Sequence, residues 1–595
     1  MKKNKYILTA GALLALSGAV LSSCNDFLTE DPKGRLVTEN FFQTENDLTL
    51  AVNALYYNVQ TGQRHTNPFI VDWQGSDITS ATGSNKGPYL SADAYEEPSD
   101  YKGVNDLWGM TYNIIQAANL IIDNADKCAA SAQDINIGKG NAYFWRAYAY
   151  FRLVRVFGPL PVNIHNEPDN NSTPLTDVEG IYKLIVEDLD NAERCALPTT
   201  YEGLRKDGLG YVGEMNTWIT EQAVKALQMA VYMNLAGYPL NKAEYMEKAA
   251  DKGYEIYTGV QNGTYRHALL PNWNQVYSIA DNFASEMIVG ISYYDSPGTM
   301  GNAGVYTSQF PLCHRFSQFN GGWGDFAGER HFWADFPEGP RKRAVYDPVI
   351  RLYGGLTDYA TGEPICVSWW ATKDEQPYNA SKKNAFVEVY HPMFSPFSIN
   401  ADSDGNALIQ PYDCRMNTTT FQSYPQTHRT IRLAEVYCWF AEAAGRSGKH
   451  TAEATAALQQ VMARAYDNAP AITDLAEQGY QEHGYEVAGY PLALCSKRSD
   501  EFRMNRMEQN WAYRHGSQDK IIVPKGTTTY SYKQEKYYEE GNPRPKYRNV
   551  AYTYELGYDL IMPENMEVAP SWNGENSIYQ VYPPTETEKN PNIKR

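Results

Sequence analysis

Long hydrophobic runs are the first feature that this sequence lacks. After Leu21, no stretch of the 595 residues approaches the roughly 20 apolar residues that a helix needs to span a bilayer. Positive charge is also scarce, because 52 Lys and Arg stand against 70 Asp and Glu and give a formal net charge of -18. Nucleic acid needs a basic binding surface, so DNA and RNA are not expected partners. The 43% of hydrophobic residues predicts a globular body.

Cysteine and familiar catalytic motifs are sparse as well. Eight cysteines are scattered without a CxxC pair, so we predict no zinc or redox site, and most should be small buried hydrophobic residues. HExxH and GxSxG do not occur. GLGYVG at 208–213 matches GxGxxG but follows no buried strand, and it predicts a flexible loop. In AAGRSGKHT, Ala443 stands where a phosphate loop needs its first glycine, so Gly448 is expected to end a helix.

One stretch has the spacing of a calcium loop. In NADSDGNAL, Asn400, Asp402, Asp404 and Gly405 recur at suitable positions, but Pro411 stands where the bidentate glutamate should be. An ordinary Asp-Gly turn is therefore preferred to a calcium site. We predict no metal and no other cofactor.

The N-terminus has the layout of a secretory signal. Lys2, Lys3 and Lys5 precede an uncharged, mostly apolar stretch that is too short to span a membrane. It ends in Leu-Ser-Ser-Cys, which resembles a bacterial lipobox and predicts that cleavage leaves a lipidated Cys24. The alternative is an ordinary signal peptide in which the cysteine is incidental. Several acyl chains would hold the mature protein at a membrane surface.

Helical periodicity dominates the two ends of the chain. Apolar residues recur at helical spacing after Thr44, over Val104–Asp126, and through NAYFWRAYAYFRLVRVF up to Gly158. Thr176 to Glu179 forms a capping box for the next helix. Further helices are expected from Asn241 and Glu244 to Tyr257, over residues 433–444, and over Thr451–Asp467. These paired helices without a strict period predict a mainly α scaffold of irregular tetratricopeptide-like hairpins.

Between these helical regions the period disappears. Glycine, proline and aromatic residues dominate, and EMIVGISYY is the clearest strand. We therefore divide the chain into a signal peptide (1–23), an N-terminal helical scaffold with a ligand loop (24–260), an irregular loop-rich insert with short strands (261–427), C-terminal helical hairpins (428–515) and an irregular C-terminal segment (516–595). A long insert on a helical frame is a common place for function.

Four stretches in order carry a family resemblance: CNDFLTEDP after the lipobox, NAYFWRAYAYFRLVRVFGPLP, ASEMIVGISY and HRTIRLAEVYCWFAEAAGRSG. Over nearly its whole length the chain resembles the SusD/RagB family of Bacteroidetes outer-membrane lipoproteins. It departs from the family in KRSDEFRMNRMEQNWAYRHG, which keeps Arg498, Glu501 and Phe502 but blurs the rest, and in a C-terminus that runs on. These departures leave the packing of the last hundred residues open.

The resemblance implies a SusD-like fold on the outer face of the outer membrane. Family members bind a nutrient, usually an oligosaccharide, and cover a partner TonB-dependent β-barrel of the SusC type. They perform no chemistry. The resemblance therefore implies a lipid-anchored, cell-surface binding protein that is not an enzyme.

Aromatic residues are what the sequence has in excess, with 46 Tyr and 12 Trp. An aromatic ring can cover the apolar face of a sugar while polar side chains bond its hydroxyl rim. Two stretches combine both residue types and match regions that build the ligand site in the family. The predicted glycan contacts are Trp73, Asp77, Tyr89 and Tyr95 in the first stretch and Asn320, Trp323, Asp325 and Arg330 in the second.

Each tryptophan also has a structural explanation. Trp73 can anchor its own loop to the helices, whereas the glycines around Trp323 favour an accessible ring. Trp333, Trp369 and Trp370 are expected to pack loops, and Trp108 and Trp145 to lie in the core.

Two other functions stay open at this level. The same scaffold could bind a peptide or another non-glycan nutrient. A glycoside hydrolase would need two carboxylates facing each other across a cleft, which 70 acidic residues allow but do not indicate.

Overall fold

The computed structural model describes residues 41–64, 79–80, 91, 101–166, 172–201, 218–276, 285–291, 327–347, 349–351, 357–362, 365–370, 391–394, 427–488, 493–516, 522–561, 572, 574 and 578–594. The predictions for Cys24, for the loop at 208–213 and for the calcium-like stretch at 400–411 fall outside these residues. No helix within the described ranges is both long and apolar enough to cross a membrane.

In the described residues of the N-terminal part, six α-helices follow one another, and each packs against the next along the chain. A short antiparallel pair, β2 with β3, lies between the third and fourth helices. The prediction of a mainly α scaffold is confirmed. The elements are α1 (Glu45–Arg64), α2 (Lys102–Asn124), α3 (Ala132–Phe157), β2 (Leu160–Pro161), β3 (Leu175–Thr176), α4 (Val178–Arg194), α5 (Glu221–Ala236) and α6 (Tyr245–Gln261), with β1 (Thr79–Ser80) between α1 and α2.

Side-chain caps explain where several of these helices begin. Thr44 Oγ1 accepts a hydrogen bond from Asp47 N at 3.2 Å, and Asp47 Oδ2 accepts one from Thr44 N at 2.8 Å, so these two residues cap α1 reciprocally. The predicted cap of α4 is off by one residue. Asp177, not Thr176, accepts the hydrogen bond from Gly180 N at 2.7 Å, because Thr176 is already paired in β3.

Helix α3 is the centre of the N-terminal core. It is buried along most of its length, and it packs against α1, α2 and α4, as its wide apolar arc predicts. Trp108 and Trp145 are both buried, so their assignment to the core is confirmed. An ion pair is buried there as well: the Arg146 guanidinium binds both carboxylate oxygens of Asp188, at 2.8 and 2.6 Å. Gly158 ends the helix with a left-handed φ of 73°.

The C-terminal helices pack against the N-terminal ones through contacts between α6 and α9 (Leu433–Ser447). Gly448, with φ 77°, ends α9 as predicted. Of the free cysteines described, three are buried and one is partly buried, in line with small hydrophobic packing. The helices are α9 (Leu433–Ser447), α10 (Thr451–Ala465), α11 (Leu475–Val487), α12 (Lys497–Arg503) and α13 (Met507–Gly516).

A short antiparallel pair joins the two ends of the insert to the scaffold. Strand β4 (Met287–Ile291) pairs with β10 (His428–Arg432), and all residues of both strands are buried. Because the pairing is antiparallel, Ile291 lies opposite His428. The chain therefore leaves the scaffold for the insert and returns to it at the same point.

The described parts of the insert contain two short helices that periodicity did not predict. Each has six residues, fewer than two turns, so a 3.6-residue repeat cannot show itself. Local chemistry starts them: Glu329 caps α7 by accepting from Phe332 N at 2.8 Å, and Pro340 opens α8. The elements are β5 (Ala327–Gly328), α7 (Arg330–Asp335), α8 (Pro340–Val345), β6 (Tyr346–Asp347), β7 (Val349–Arg351), β8 (Cys366–Ser368) and β9 (Met393–Phe394).

The segment after residue 516 is more regular than the sequence predicts. Strands β12 (Thr528–Tyr537) and β13 (Lys546–Glu555) form a ten-residue antiparallel hairpin. A two-residue turn would have signalled a hairpin, but eight residues rich in Glu and Pro connect these strands. The remaining elements are β11 (Ile522–Val523), β14 (Leu560–Ile561), which pairs with β11, and α14 (Pro584–Lys589).

The end of the chain returns to the N-terminal helices. Gln580 N donates to Val156 O at 2.8 Å, and Tyr582 OH donates to Pro159 O at 2.7 Å. The divergent stretch after residue 496 supports this packing, because Arg498 is buried and donates to Ile578 O at 2.8 Å. The C-terminal residues thus cover the end of α3.

Candidate functional site

The two aromatic stretches predicted to contact a ligand meet in one backbone pairing. Strand β1 pairs antiparallel with β5, with Thr79 opposite Gly328 and Ser80 opposite Ala327. In the sequence, Asp77 precedes Thr79 by two residues and Asp325 precedes Ala327 by two. The pairing therefore joins the loop after α1 to the insert, although 247 residues separate Ser80 from Ala327 in the chain.

Strand β5 is held tightly from its other side. Gly328 N donates to Pro392 O at 2.7 Å, and His391 Nδ1 lies 3.2 Å from Gly328 O. A Cβ at position 328 would lie 2.8 Å from the ring of Tyr346. Position 328 therefore requires glycine, because Tyr346 and Pro392 of the same chain approach its backbone closely.

A cluster of tryptophans supports the same point. Ala327 belongs to a buried cluster with Trp369 and Trp370, and Trp333 packs against it. The rings of Trp333 and Trp369 meet edge to face, with centroids 4.9 Å apart. As predicted, these three tryptophans pack together inside the insert. Because Ala327 of β5 belongs to the same cluster, they also support the pairing of β1 with β5.

Arg330 is the single predicted contact residue that falls within the described ranges. It begins α7, directly after the capping residue Glu329, and its side chain is only 2% exposed. Arg330 is therefore buried and does not lie on an open surface. The other seven predicted contacts lie outside the described residues: Trp73, Asp77, Tyr89, Tyr95, Asn320, Trp323 and Asp325.

A buried network of arginines and glutamates fastens the insert to the helices. From α8 of the insert, Arg341 donates to Glu482 at 2.7 Å and to Glu486 at 3.0 Å, both on α11. At the end of β10, Arg432 donates to Glu286 and to Glu486, at 3.0 and 3.3 Å. We call Glu286, Arg341, Arg432, Arg464, Glu482 and Glu486 the arginine–glutamate network.

Glu286 is the best-paired carboxylate of this network. Arg464 donates to both of its oxygens, at 2.6 and 2.8 Å, and Leu270 N donates to one of them at 2.9 Å. Burial by itself would raise the pKa of Glu286, but the Arg464 guanidinium, and after it Arg432, outweigh burial and lower the pKa to about 2. Glu286 is therefore ionised at neutral pH.

Neighbouring Glu435 behaves in the opposite way. It is fully buried, and burial, which exceeds the opposing effect of Arg432, raises its pKa to about 7. At neutral pH, Glu286 is therefore ionised, whereas Glu435 is near the midpoint of its titration. The two differ because Glu286 accepts three guanidinium hydrogen bonds, two from Arg464 and one from Arg432, whereas Glu435 Oε2 accepts from the backbone N of Arg432 at 2.7 Å.

Sequence reasoning missed two features of this region. The arginine–glutamate network joins residues up to 200 positions apart, and its only sequence signal is charge next to apolar strands, as in Glu286 before β4. The tyrosines of the β12–β13 hairpin recur at every second position, as in TYSYK and VAYTY, which is a strand signal. Among the described residues, no group of three or more His, Cys, Asp or Glu could hold a metal ion.

Comparison with known proteins identifies relatives of this chain. A family model described as "SusD-like_3: Starch-binding associating with outer membrane" matches residues 26–207. SusD-like protein P2 of Formosa agariphila is 30% identical over 204 residues, which cover 33% of this chain and 39% of that protein. SusD-like protein P25 of the same organism is 24% identical over 508 residues, or 81% of this chain and 87% of the relative.

Solved structures share the fold over nearly the full length. A SusD superfamily protein from Parabacteroides distasonis superposes with a TM-score of 0.62 at 15% identity and covers 94% of this chain and 99% of its own. A structure with a xylogluco-oligosaccharide gives 0.59 at 17% identity, with 92% and 98% covered. The surface glycan-binding protein A of Bacteroides uniformis gives 0.59 at 16%, with 93% and 99% covered. This chain is thus similar in sequence to SusD-like proteins, with the family model matching residues 26–207, and it shares the fold of solved SusD superfamily proteins over nearly its whole length.

Proposed function

We propose that this protein is a lipid-anchored glycan-binding protein of the cell surface that passes its ligand to a SusC-like TonB-dependent transporter. The observation that carries the proposal is the pairing of β1 with β5, which joins the two aromatic stretches at a firmly packed point of the insert. A protein of the same fold was solved with a xylogluco-oligosaccharide, which supports a glycan as the ligand class.

The residue types of the two stretches suit this ligand. Trp73 and Trp323 offer flat faces for sugar rings, and Asp77, Asn320 and Asp325 offer oxygens and an amide for hydroxyl groups. In this proposal these side chains stack on and hydrogen-bond to the glycan, and none of them cleaves it. The protein then binds the glycan and passes it on without catalysis.

Trp323 is the contact for which we expect the strongest effect on binding. Replacing Trp323 with Ala should weaken oligosaccharide binding by about thirtyfold or more, because a buried aromatic contact at the centre of an interface contributes roughly 2 kcal/mol or more. Isothermal titration with a glycan that the wild type binds would measure the change. Tyr57→Ala is a matched control, because Tyr57 is an exposed aromatic residue on α1. Equal affinities of Trp323→Ala and wild type would remove Trp323 from the site.

The anchor is tested separately from the ligand. In cells fed a radiolabelled fatty acid, the wild-type protein should carry the label and Cys24→Ser should not, because serine has no thiol to acylate. The variant should also be released from the membrane fraction, since acyl chains supply the attachment. Persistent labelling of Cys24→Ser would contradict a lipid anchor at this residue.

Two other activities are distinguished by their products and partners. A panel of soluble glycans beside a panel of peptides would separate sugar binding from peptide binding on the same scaffold. Release of reducing ends from a bound glycan on long incubation would indicate a glycoside hydrolase instead.

A further inference from the structure

The β12–β13 hairpin carries a row of tyrosines that the proposed site does not use. On one face of the hairpin, Tyr552 and Tyr554 stack with ring centroids 5.9 Å apart and planes 27° from parallel. Further along the same face, the Arg548 guanidinium lies 5.7 Å from the ring of Tyr537. Tyr359, from the turn beside β13, lies 4.3 Å from Arg548. We call these five residues the tyrosine face.

Several contacts hold the tyrosine face in place. Tyr359 N donates to Asn549 O at 2.8 Å, and Asp358 accepts from Ala551 N at 2.6 Å. The turn thus covers the outer edge of β13, where unpaired backbone groups would otherwise attract another strand. It also fixes the Tyr359 ring beside Arg548, while leaving it 63% exposed; Tyr552 is 37% exposed.

The chemistry of this face favours a neutral, hydroxyl-rich chain over a charged partner. Arg548 is paired with Glu535 at 3.0 Å, and Lys546 with Glu539 at 2.6 Å, so the charges beside the rings are compensated. Tyrosine presents an apolar ring with a polar tip, which suits a ligand that has both C–H faces and hydroxyl groups. A row of such rings along a strand offers successive contacts to an extended polymer.

The tyrosine face and the proposed binding site pack on the same buried cluster. Trp370 Nε1 donates to Thr529 Oγ1 of β12 at 3.3 Å, and Tyr554 packs against the cluster that contains Trp370 and Ala327. The same buried tryptophans therefore support both β5 and the base of the hairpin. A ligand held near β5 and extended along the surface could reach the hairpin without any rearrangement of the core.

We propose that the tyrosine face is a second glycan-contacting surface, which binds the continuation of a polysaccharide whose other part occupies the site at β1 and β5. This inference rests on the proposed function and adds to it that the preferred ligand is a long polymer. Two linked contacts raise the affinity for a polymer above that for a fragment that spans only one of them.

The test compares polymers with their fragments. Starch, xyloglucan, xylan, β-glucan and mannan, each as polymer and as short oligosaccharide, are titrated into the wild type, Tyr359→Ala, and the double variant Tyr359→Ala with Tyr552→Ala. We expect the double variant, which removes two rings, to lose on the order of tenfold in affinity for the bound polymer and to keep its affinity for the fragment. Phenylalanine at both positions should restore polymer binding.

Folding and alternative outcomes are kept apart. Tyr359→Ala alone controls for misfolding, because Tyr359 lies on an exposed turn and its ring is not part of the buried tryptophan cluster. This single variant should lose affinity for the polymer as well, but less than the double variant. Unchanged polymer affinity in the double variant would overturn this inference and leave the proposed function intact. A variant that binds polymer normally but no longer binds the transporter would also overturn it, in favour of a protein-binding surface. If the wild type binds no glycan, both proposals fail.

Discussion

Replacing Glu286 with Gln is expected to lower the free energy of unfolding by roughly 3–5 kcal/mol at neutral pH, the range measured when one partner of a buried ion pair is removed. The amide keeps the size of the side chain, but it presents an NH₂ group to guanidinium groups that need an acceptor. Arg464 and Arg432, which are 7% and 0% exposed at the side chain, would be left with an uncompensated buried charge. Urea unfolding followed by circular dichroism would measure the shift in midpoint.

An exposed pair in the same protein provides the control. Arg343 binds Asp467 through two hydrogen bonds, at 3.0 and 2.9 Å, with geometry as good as that at Glu286. Its side chains are 52% and 55% exposed, so Asp467→Asn should cost no more than about 1 kcal/mol. Equal effects of the two substitutions would show that burial of the arginine–glutamate network adds nothing to stability.

The pH dependence of the Glu286 variant gives a second measure. The pKa of Glu286 lies below its ordinary value of 4.5, at about 2, so its stabilising effect is present above pH 4.5 and is lost as the pH falls toward 2. The difference in free energy of unfolding between wild type and Glu286→Gln should therefore narrow over that interval. A difference that stays constant down to pH 2 would contradict an ionised, arginine-paired Glu286.

Replacing Gly479 with Ala should also destabilise the protein, by about 1–3 kcal/mol, because α9 and α11 touch through their backbones at this point. A Cβ at 479 would lie 2.5 Å from Glu442 N and 2.8 Å from Cys438 O. Backbone atoms within a helix cannot rotate away, so the two helices must separate. The same holds at Gly445 on α9, where an added Cβ would lie 2.5 Å from Ala476 N of α11.

Gly109 is the matched control for this substitution. It also lies within a helix, α2, but a Cβ there meets no atom within 4 Å. Alanine at 109 should therefore stabilise the protein by roughly 0.5–1 kcal/mol through helix propensity. Opposite shifts of the urea midpoints would confirm the close crossing, whereas stabilisation by both substitutions would contradict it.

The scaffold could be predicted from the sequence because its signals are local. The expected helix Val104–Asp126 is observed as Lys102–Asn124, and Thr451–Asp467 as Thr451–Ala465, so these two agree to within two residues at each end. The helix expected to end at Tyr257 runs on to Gln261. The observed N-cap of α4 is Asp177, one residue after the predicted Thr176. Thr176 instead pairs with Leu160 in the β2–β3 ladder, a contact outside the helix that helical periodicity does not reveal.

The site could be predicted only in part, because what organises it is not local. Aromatic and polar composition selected the two stretches, but their joining depends on a two-residue pairing across 247 residues, which no pattern in either strand reveals. Arg330 illustrates the limit: its residue type suggested a ligand contact, but residue type alone does not reveal that its side chain is buried at the start of α7. The hairpin was missed because its long connection carries no tight-turn signal.

The junction of β4 and β10 bears on how such a protein can change over time. With both ends of the insert held side by side, the length of chain between them affects closure only weakly, by about 0.6 kcal/mol for each doubling. Residues 292–427 can therefore be lengthened, shortened or exchanged while the helices keep their arrangement, provided that Arg341 or an equivalent still reaches Glu482 and Glu486. Changes in length or sequence confined to residues 292–427 would then leave the arrangement of the helices unaltered.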